Sequence, residues 1–173
     1  TSGDSADYSC GIYADHGNID VSGGTVIARG GDSGDNSDGI CVSKDGITIS
    51  GGEVTTTGGD TEGRSCGIDA DSITINGGVF TATGGTGTEG SYGIYTGALT
   101  ITGGTITATG NTSGVYAVYE DGEIEITVSP QGDQQIAVLL GESETAAADI
   151  EGSPFASEME ITGLVNNTGK YFH

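Results

Sequence analysis

Hydrophobic and polar residues alternate in short blocks that recur along most of the chain. The first kind of block starts with Gly-Ile or Gly-Val, at residues 11, 39, 67, 93 and 114. The second kind ends in Gly-Gly and spans residues 19–24, 47–52, 73–78 and 99–104. The third follows each Gly-Gly pair, over residues 25–28, 53–56, 79–82 and 105–108. Alternation of this kind is typical of strands, so each repeat is predicted to hold three short strands.

The alternation also predicts which side chains face inward, because successive residues of a strand point to opposite faces. Three inward columns result: Ile12, Ile40, Ile68, Ile94 and Val115; Val21, Ile49, Ile75 and Ile101; and Val26, Val54, Phe80 and Ile106. Three columns indicate a triangular prism in which each strand pairs with its equivalent one repeat later. The predicted fold is therefore all-β, a single-stranded parallel β-helix with about five coils, right-handed because parallel crossovers favour that hand.

The repeat weakens after residue 128. Residues 135–140 and 159–165 still have strand character, but no Gly-Gly pair separates them. An open solenoid end needs a cover. We therefore predict that residues 1–128 form the β-helix repeats and residues 129–173 an irregular β cap of the same domain.

Composition excludes several partners. The 173 residues include 34 Gly, and 25 acidic residues against 4 basic ones give a formal net charge of −21. Such a chain repels a polyanion, so nucleic acid is not an expected partner. No apolar run is long enough to insert into a membrane as a helix, and no signal peptide is visible at Thr1, so a targeting segment is expected outside this sequence.

The three cysteines are predicted to be small buried thiols. Alternation places Cys10 and Cys66 two coils apart and turns Cys41 to the opposite face, so no pair is expected to reach disulfide geometry. No His or second Cys stands at ligand spacing, which argues against a metal or catalytic role.

Some aspartates recur with the repeat. Asp4, Asp32 and Asp60 are 28 residues apart, and Asp7 and Asp35 have the same separation. If the loops stack as the strands do, these carboxylates form columns along one edge. The columns can be a solvated acidic rim, or they can bind Ca²⁺, which takes several carboxylate and carbonyl oxygens in a flexible loop.

The first predicted face carries exposed aromatic positions. The outward residues after each Gly-Ile or Gly-Val include Tyr13, Asp69, Tyr95 and Tyr116, with Cys41 interrupting the column. Tyrosines on a rigid sheet can stack on sugar rings while Asp accepts hydrogen bonds from hydroxyl groups. These four residues are the candidate carbohydrate-binding residues, and ordinary surface exposure is the alternative.

The sequence offers little catalytic chemistry. His16 and His173 are the only imidazoles, and the basic residues do not recur together in one column. Paired carboxylates are too numerous in this chain to be diagnostic of a glycosidase. We expect no enzyme activity.

The blocks Ser37-Asp38-Gly39-Ile40, residues 46–52 and residues 99–108 resemble the repeats of secreted carbohydrate-binding β-helix domains on Gram-positive bacterial surfaces. Those domains are similar in fold to pectate lyases, and the studied ones bind acidic plant polysaccharides with calcium involved. The resemblance covers residues 1 to about 128 and favours calcium at Asp32, Asp35 and Asp60, because aspartates cluster in that family's loops. Lyase activity does not carry over, since no Arg or Lys base can be placed beside a calcium site here.

The sequence therefore predicts a noncatalytic, secreted or cell-surface β-helix that binds polysaccharide, with Ca²⁺ assisting, as a monomer within a larger multidomain surface protein. A polyanionic glycan would need divalent bridging to a chain of this charge. A structural stalk of an adhesin and a degenerate polysaccharide lyase are the alternatives.

Overall fold

The computed structural model describes residues 1–111, 113–117, 123–128, 139–141, 148–149, 159–165 and 171–172, with side chains described up to residue 111. The strands are β1 (Tyr8–Ala14), β2 (Ile19–Val21), β3 (Thr25–Arg29), β4 (Asn36–Ile49), β5 (Glu53–Thr57), β6 (Arg64–Ile75), β7 (Val79–Thr83), β8 (Gly90–Ile101), β9 (Thr105–Thr109), β10 (Ser113–Ala117), β11 (Glu123–Val128), β12 (Leu139–Gly141), β13 (Ala148–Asp149), β14 (Met159–Val165) and β15 (Tyr171–Phe172). Within the described ranges there is no helix that could cross a membrane.

The strands form two sheets whose order follows the repeat. One sheet runs β1-β4-β6-β8-β11-β14, and the other contains β3, β5, β7 and β9 as consecutive neighbours. Every pair from β1 to β9 is parallel and joins strands one repeat apart. The predicted parallel β-helix is confirmed, and its right-handedness stays a prediction.

The strand register reproduces the three predicted columns. Ile40 pairs with Ile68 and Ile68 with Ile94, and the other two columns are aligned in the same way. Between residues 40 and 106 these side chains are buried in one apolar core, with Phe80 the largest of them. Stacking of identical positions thus builds the core coil by coil.

The division of each coil into strands differs from the expectation. Only the first coil has three separate strands; in the next three coils the first two predicted segments join into one long bent strand, β4, β6 or β8. Four coils possess all three segments, and β10 and β11 extend the first sheet into a fifth by pairing with β8. Between β4 and β6 the register shifts after Val42, and pairing resumes at Gly46, opposite Ser72, before the second predicted segment begins.

The Gly-Gly corners depend on the second glycine of each pair. Gly24, Gly52, Gly78 and Gly104 have φ between +80° and +100°, and within the described residues no other residue type has positive φ. At Gly52 a Cβ atom would also lie 2.5 Å from the carbonyl oxygen of Gly24. A residue with a side chain would therefore be strained and would also clash with the coil below.

Serine side chains join neighbouring coils at a second corner. Ser65 Oγ donates to Gly59 O at 2.7 Å and accepts from Gly85 N at 2.8 Å. The equivalent Ser9, Ser37 and Ser91 each accept from an amide one coil further on. We call these four residues the serine ladder. Each member satisfies backbone groups that the turn would otherwise leave unpaired in a buried corner.

The C-terminal strands change direction. β14 pairs antiparallel with β11, and β15 pairs antiparallel with β9. Both sheets are thus continued by antiparallel strands beyond residue 128. The predicted boundary between repeats and cap stays a prediction, and most of residues 129–173 lie outside the described residues.

Candidate functional site

A bend in the long strands creates the chemically richest region of the described chain. Gly39 faces inward at this bend, where a Cβ would lie 2.6 Å from the Thr57 amide nitrogen. Ile40 and Val42 belong to the apolar core, whereas Asp38 and Cys41 both lie outside it, although they are three residues apart. Straight alternation would place Asp38 on the same face as Ile40, so the alternation changes phase at Gly39.

The bend gathers five side chains from three coils. Cys10, Asp38 and Cys41 have ligand atoms that all lie within 4.8 Å of one another, and so do Asp38, Cys66 and Asp69. We call these five residues the cysteine–aspartate row; Asp38 belongs to both of its groups. Cα pairing explains the arrangement, because Cys10, Asp38 and Cys66 stack in one column and Tyr13, Cys41 and Asp69 in the next.

This finding corrects the interpretation of the cysteines. Cys41 does not point away from Cys10; the two thiols share one group with Asp38. The expectation that no second Cys stands at ligand spacing was therefore wrong. It failed because it assumed one unbroken alternation through the Gly-Ile block, whereas the glycine resets it. All three cysteines are free thiols, as expected, and two of them are buried.

Asp38 is the most unusual member of the row. Its side chain is 0% exposed, and its Oδ1 atom has no hydrogen-bond partner. The other oxygen, Oδ2, accepts a hydrogen bond of 2.5 Å from the Tyr8 hydroxyl, which also lies 3.0 Å from Cys41 Sγ. A buried carboxylate with one unsatisfied oxygen is costly unless a proton or a cation neutralises it.

The far end of the row carries its own cation. Arg64 Nη2 lies 2.6 Å from Asp69 Oδ2, and its guanidinium carbon lies 3.9 Å from the centre of the Tyr95 ring. The Tyr92 and Tyr95 rings are tilted, with centroids 5.5 Å apart. Arg64 therefore compensates the charge of Asp69 and covers one face of Tyr95.

Burial dominates the electrostatics of the row. It raises the pKa of Asp38 to about 7, and the charge of Asp69 adds to this, while the Tyr8 hydrogen bond and Arg64 act in the opposite direction. A hydrogen bond from the Cys10 thiol lowers the pKa of Cys41, although burial opposes the shift. The row thus holds one thiol with a lowered pKa beside a carboxyl group with a raised pKa.

A surface pocket of about 610 Å³ lies beside the first coil and reaches the row. Its lining includes Ser2, Tyr8, Ser9, Cys10, Tyr13 and Ser43. We call it the N-terminal pocket. Tyr13 is 56% exposed and Tyr8 39% exposed. The Tyr13 hydroxyl accepts from Ser43 Oγ at 3.1 Å and donates to Asp15 at 3.3 Å, which orients its ring. The pocket offers aromatic faces and hydroxyl groups in a volume that suits a small ligand.

The structure distributes the candidate carbohydrate residues over different environments. Tyr13 lies in the N-terminal pocket, whereas Asp69 and Tyr95 are partly buried and engaged by Arg64. The Tyr116 backbone continues the column by pairing with Tyr95, and its side chain lies outside the described residues. Tyr8, which sequence reasoning missed, joins Tyr13 in this pocket. Its Cα pairs with that of Asn36 at the start of β1, outside the repeated Gly-Ile block.

The loops that carry the repeated aspartates do stack. Ser5, Ser33, Thr61 and Gly87 form successive parallel bridges, which places Asp4, Asp32 and Asp60 above one another. Asp4 Oδ1 accepts from the Asp32 amide at 3.2 Å, and Asp32 Oδ1 accepts from the Asp60 amide at 2.9 Å. In each of these two carboxylates, one oxygen thus accepts a hydrogen bond from a backbone amide of the next coil.

The second aspartate column behaves differently. Asp7 and Asp35 are exposed and connect through their backbones, since the Asp35 amide donates to Asp7 O at 2.8 Å. In the described part of the chain, none of the five aspartates belongs to a group of three close metal-binding side chains. The columns therefore do not fit a calcium site made by protein side chains alone; calcium would need ligands from elsewhere.

Comparison with known proteins agrees with the fold. Three segments, residues 19–40, 47–71 and 99–117, match the family model described as "Beta helix repeat". The matched segments lie in the repeats whose strand register forms the parallel β-helix, so the chain has the fold of parallel β-helix repeat proteins. No curated protein and no solved structure matches the chain.

Proposed function

We propose that this β-helix binds carbohydrate without catalysis, and that the N-terminal pocket is its sugar site. The observation that carries the proposal is the pairing of two partly exposed tyrosines, Tyr8 and Tyr13, with serine hydroxyls in one pocket of about 610 Å³. Tyrosine rings bind the apolar faces of pyranose rings, and serine hydroxyls exchange hydrogen bonds with those of a sugar.

The setting of Tyr13 supports this role. Its hydroxyl is fixed between Ser43 and Asp15, so little side-chain freedom is lost when a sugar stacks on the ring. Tyr8, Ser9, Cys10 and Tyr13 of the pocket lining lie on β1, which pairs in parallel with β4. Rigid aromatic platforms of this kind bind glycans at a low entropic cost.

Calcium enters the proposal as a bridge to an acidic polysaccharide. Asp4, Asp32 and Asp60 are exposed, and Oδ1 is the oxygen that each uses to accept from a backbone amide. A bridging ion would take the remaining carboxylate oxygens together with uronate oxygens of the glycan, which would complete the six to eight ligands that Ca²⁺ prefers. The same bridge would offset the repulsion between a polyuronate and a chain of charge −21.

We also propose a cellular location for the protein. A secreted or cell-surface location, within a larger multidomain protein, is where a polysaccharide-binding repeat would meet its ligand. The stacked parallel ladders of both sheets also suit a rigid stalk in an adhesin, which is the second candidate function.

The proposal is tested by measuring binding of the protein to a panel of immobilised acidic and neutral polysaccharides, with and without Ca²⁺. We expect binding to at least one of them, weakened about tenfold by Tyr13→Ala, since loss of about 1.4 kcal/mol of stacking corresponds to a factor of ten. Tyr13→Phe keeps the ring and should retain most of the affinity. Ile27→Ala removes an exposed side chain outside the pocket and serves as the control.

The outcomes separate the alternatives. No binding under either condition would favour the stalk. Binding that Tyr13→Ala leaves unchanged would place the sugar elsewhere and overturn the assignment of the pocket. Release of unsaturated uronate, measured by absorbance, would indicate a lyase.

A further inference from the structure

We infer that Cys10, Cys41 and Asp38 bind a thiophilic divalent cation such as Zn²⁺. The site is distinct from the aspartate columns and adjoins the N-terminal pocket through Cys10 and Tyr8, but the inference does not rest on the proposed sugar binding. The three ligand atoms lie within 4.8 Å of one another. Two sulfurs bound to one tetrahedral Zn²⁺ at about 2.3 Å are about 3.8 Å apart, so only a small inward movement is required.

Asp38 provides a second, independent indication. Its Oδ1 atom is buried without a hydrogen-bond partner, in a side chain that is 0% exposed. In the described chain the nearest strong cation, Arg64, is committed to Asp69 at 2.6 Å. A bound cation would satisfy the unpaired oxygen and neutralise the buried charge together.

The donor set selects the metal. Two thiolates and one carboxylate suit Zn²⁺ or Cd²⁺, whereas Ca²⁺ and Mg²⁺ take oxygen ligands only. Cys10 lines the N-terminal pocket, so water can reach the fourth coordination position from there.

Tyr8 occupies the place where the ion would sit. Its hydroxyl lies 2.5 Å from Asp38 Oδ2 and 3.0 Å from Cys41 Sγ, and so bridges two of the three ligands. Tyr8 is 39% exposed and lines the N-terminal pocket. Zn²⁺ would displace this hydrogen bond, so removal of the hydroxyl should strengthen metal binding.

The second group of the row is a poorer site. Asp69 already has Arg64 as its partner at 2.6 Å, and Cys66 is 0% exposed. Binding there would bring a second positive charge next to the guanidinium. Cys66 therefore offers a matched control thiol in the same row.

The test uses the full chain, kept reduced, in competition with a chromogenic chelator for Zn²⁺. We expect one equivalent to bind, with Ca²⁺ unable to compete. Cys10→Ser and Cys41→Ser should each weaken binding by at least about 100-fold, since loss of an outer-shell partner alone costs 10–100-fold. Cys66→Ala should stay close to wild type, and Tyr8→Phe should bind at least as tightly.

Two further measurements keep the test independent of variant folding. Cd²⁺ added to the wild-type protein should produce thiolate-to-metal charge-transfer absorption that saturates at one equivalent. Zn²⁺ should protect Cys10 and Cys41 from alkylation, as mapped by mass spectrometry. The same protection of these two thiols should be seen in Cys66→Ala. Absence of the absorption, or loss of binding in Cys66→Ala with retention in Cys10→Ser, would overturn the inference. Neither result depends on whether any glycan binds.

Discussion

The serine ladder allows a sharp test of how the coils are held together. Ser65 is 0% exposed and makes two hydrogen bonds, to Gly59 O at 2.7 Å and from Gly85 N at 2.8 Å. Ser65→Ala removes both without adding volume. The two backbone groups it serves belong to different coils, so the substitution acts on the stacking of the repeat as well as on one turn.

The size of the effect follows from these contacts. Each hydrogen bond contributes about 1 kcal/mol net, and a buried amide left unpaired costs about 1–3 kcal/mol. We therefore expect Ser65→Ala to lower the free energy of unfolding by roughly 2–3 kcal/mol. For a domain of this size, 1 kcal/mol shifts the melting temperature by about 2–4 °C, so a fall of roughly 5–10 °C should result.

The fall in melting temperature is measured by thermal unfolding, monitored by circular dichroism, with Ser72→Ala as the matched control. Ser72 is an exposed serine of the same strand β6, and its substitution should change the melting temperature by less than about 2 °C. Ser37→Ala and Ser65→Ala share Gly59, so the double variant should lose less than the sum of the single losses. Equal melting of Ser65→Ala and Ser72→Ala would refute the role of the ladder.

Two further predictions concern the bend and the row. In protein kept free of divalent cations, stability should fall by roughly 4 kcal/mol as the pH rises from 3.8 through about 7, because the folded state retains a proton on Asp38 that the unfolded chain releases. Asp38→Asn should flatten this dependence in chemical denaturation, and an unchanged slope would show that another group causes it. Gly67→Ala should destabilise strongly, because its Cβ would lie 2.6 Å from both Gly93 O and the Thr83 amide nitrogen. Gly23→Ala, which meets nothing within 4 Å, should melt near wild type, and similar melting of the two variants would contradict the close packing at the bend.

The apolar columns were predictable because two simple rules coincide in them. Period-2 alternation decides which residues face inward, and an almost constant repeat length aligns equivalent residues such as Ile40 and Ile68. Neither rule requires knowledge of side-chain contacts. The stacking of the aspartate loops followed from the same regular spacing.

The cysteine–aspartate row was not predictable by the same rules. Its formation depends on Gly39 and Gly67, which approach the ends of β5 and β7 and interrupt the alternation. The recurrence of glycine inside a strand was the signal that a bend was present. How far apart Asp38 and Cys41 would lie after that bend depends on backbone geometry that composition and spacing do not contain.

The function of the serine in the repeated Ser-x-Gly-Ile block also required the structure. The sequence showed Ser37 and Ser65 at equivalent positions, yet a serine before a strand is common on surfaces. Only the turn geometry reveals that the hydroxyl group lies in a buried corner and donates to a backbone carbonyl there. Tyr8 was missed for a related reason, because it stands outside the repeated block.

The central claim is that the N-terminal pocket binds an acidic polysaccharide with the help of Ca²⁺. Calorimetric titration with oligogalacturonate in the presence of Ca²⁺ tests it most directly, on the full chain and on the variants Tyr13→Ala and Ile27→Ala. The account predicts saturable binding by the wild-type protein and Ile27→Ala, about tenfold weaker binding by Tyr13→Ala, and loss of binding when Ca²⁺ is chelated. Equal affinity of Tyr13→Ala and the wild-type protein would contradict the assignment of the N-terminal pocket as the sugar site.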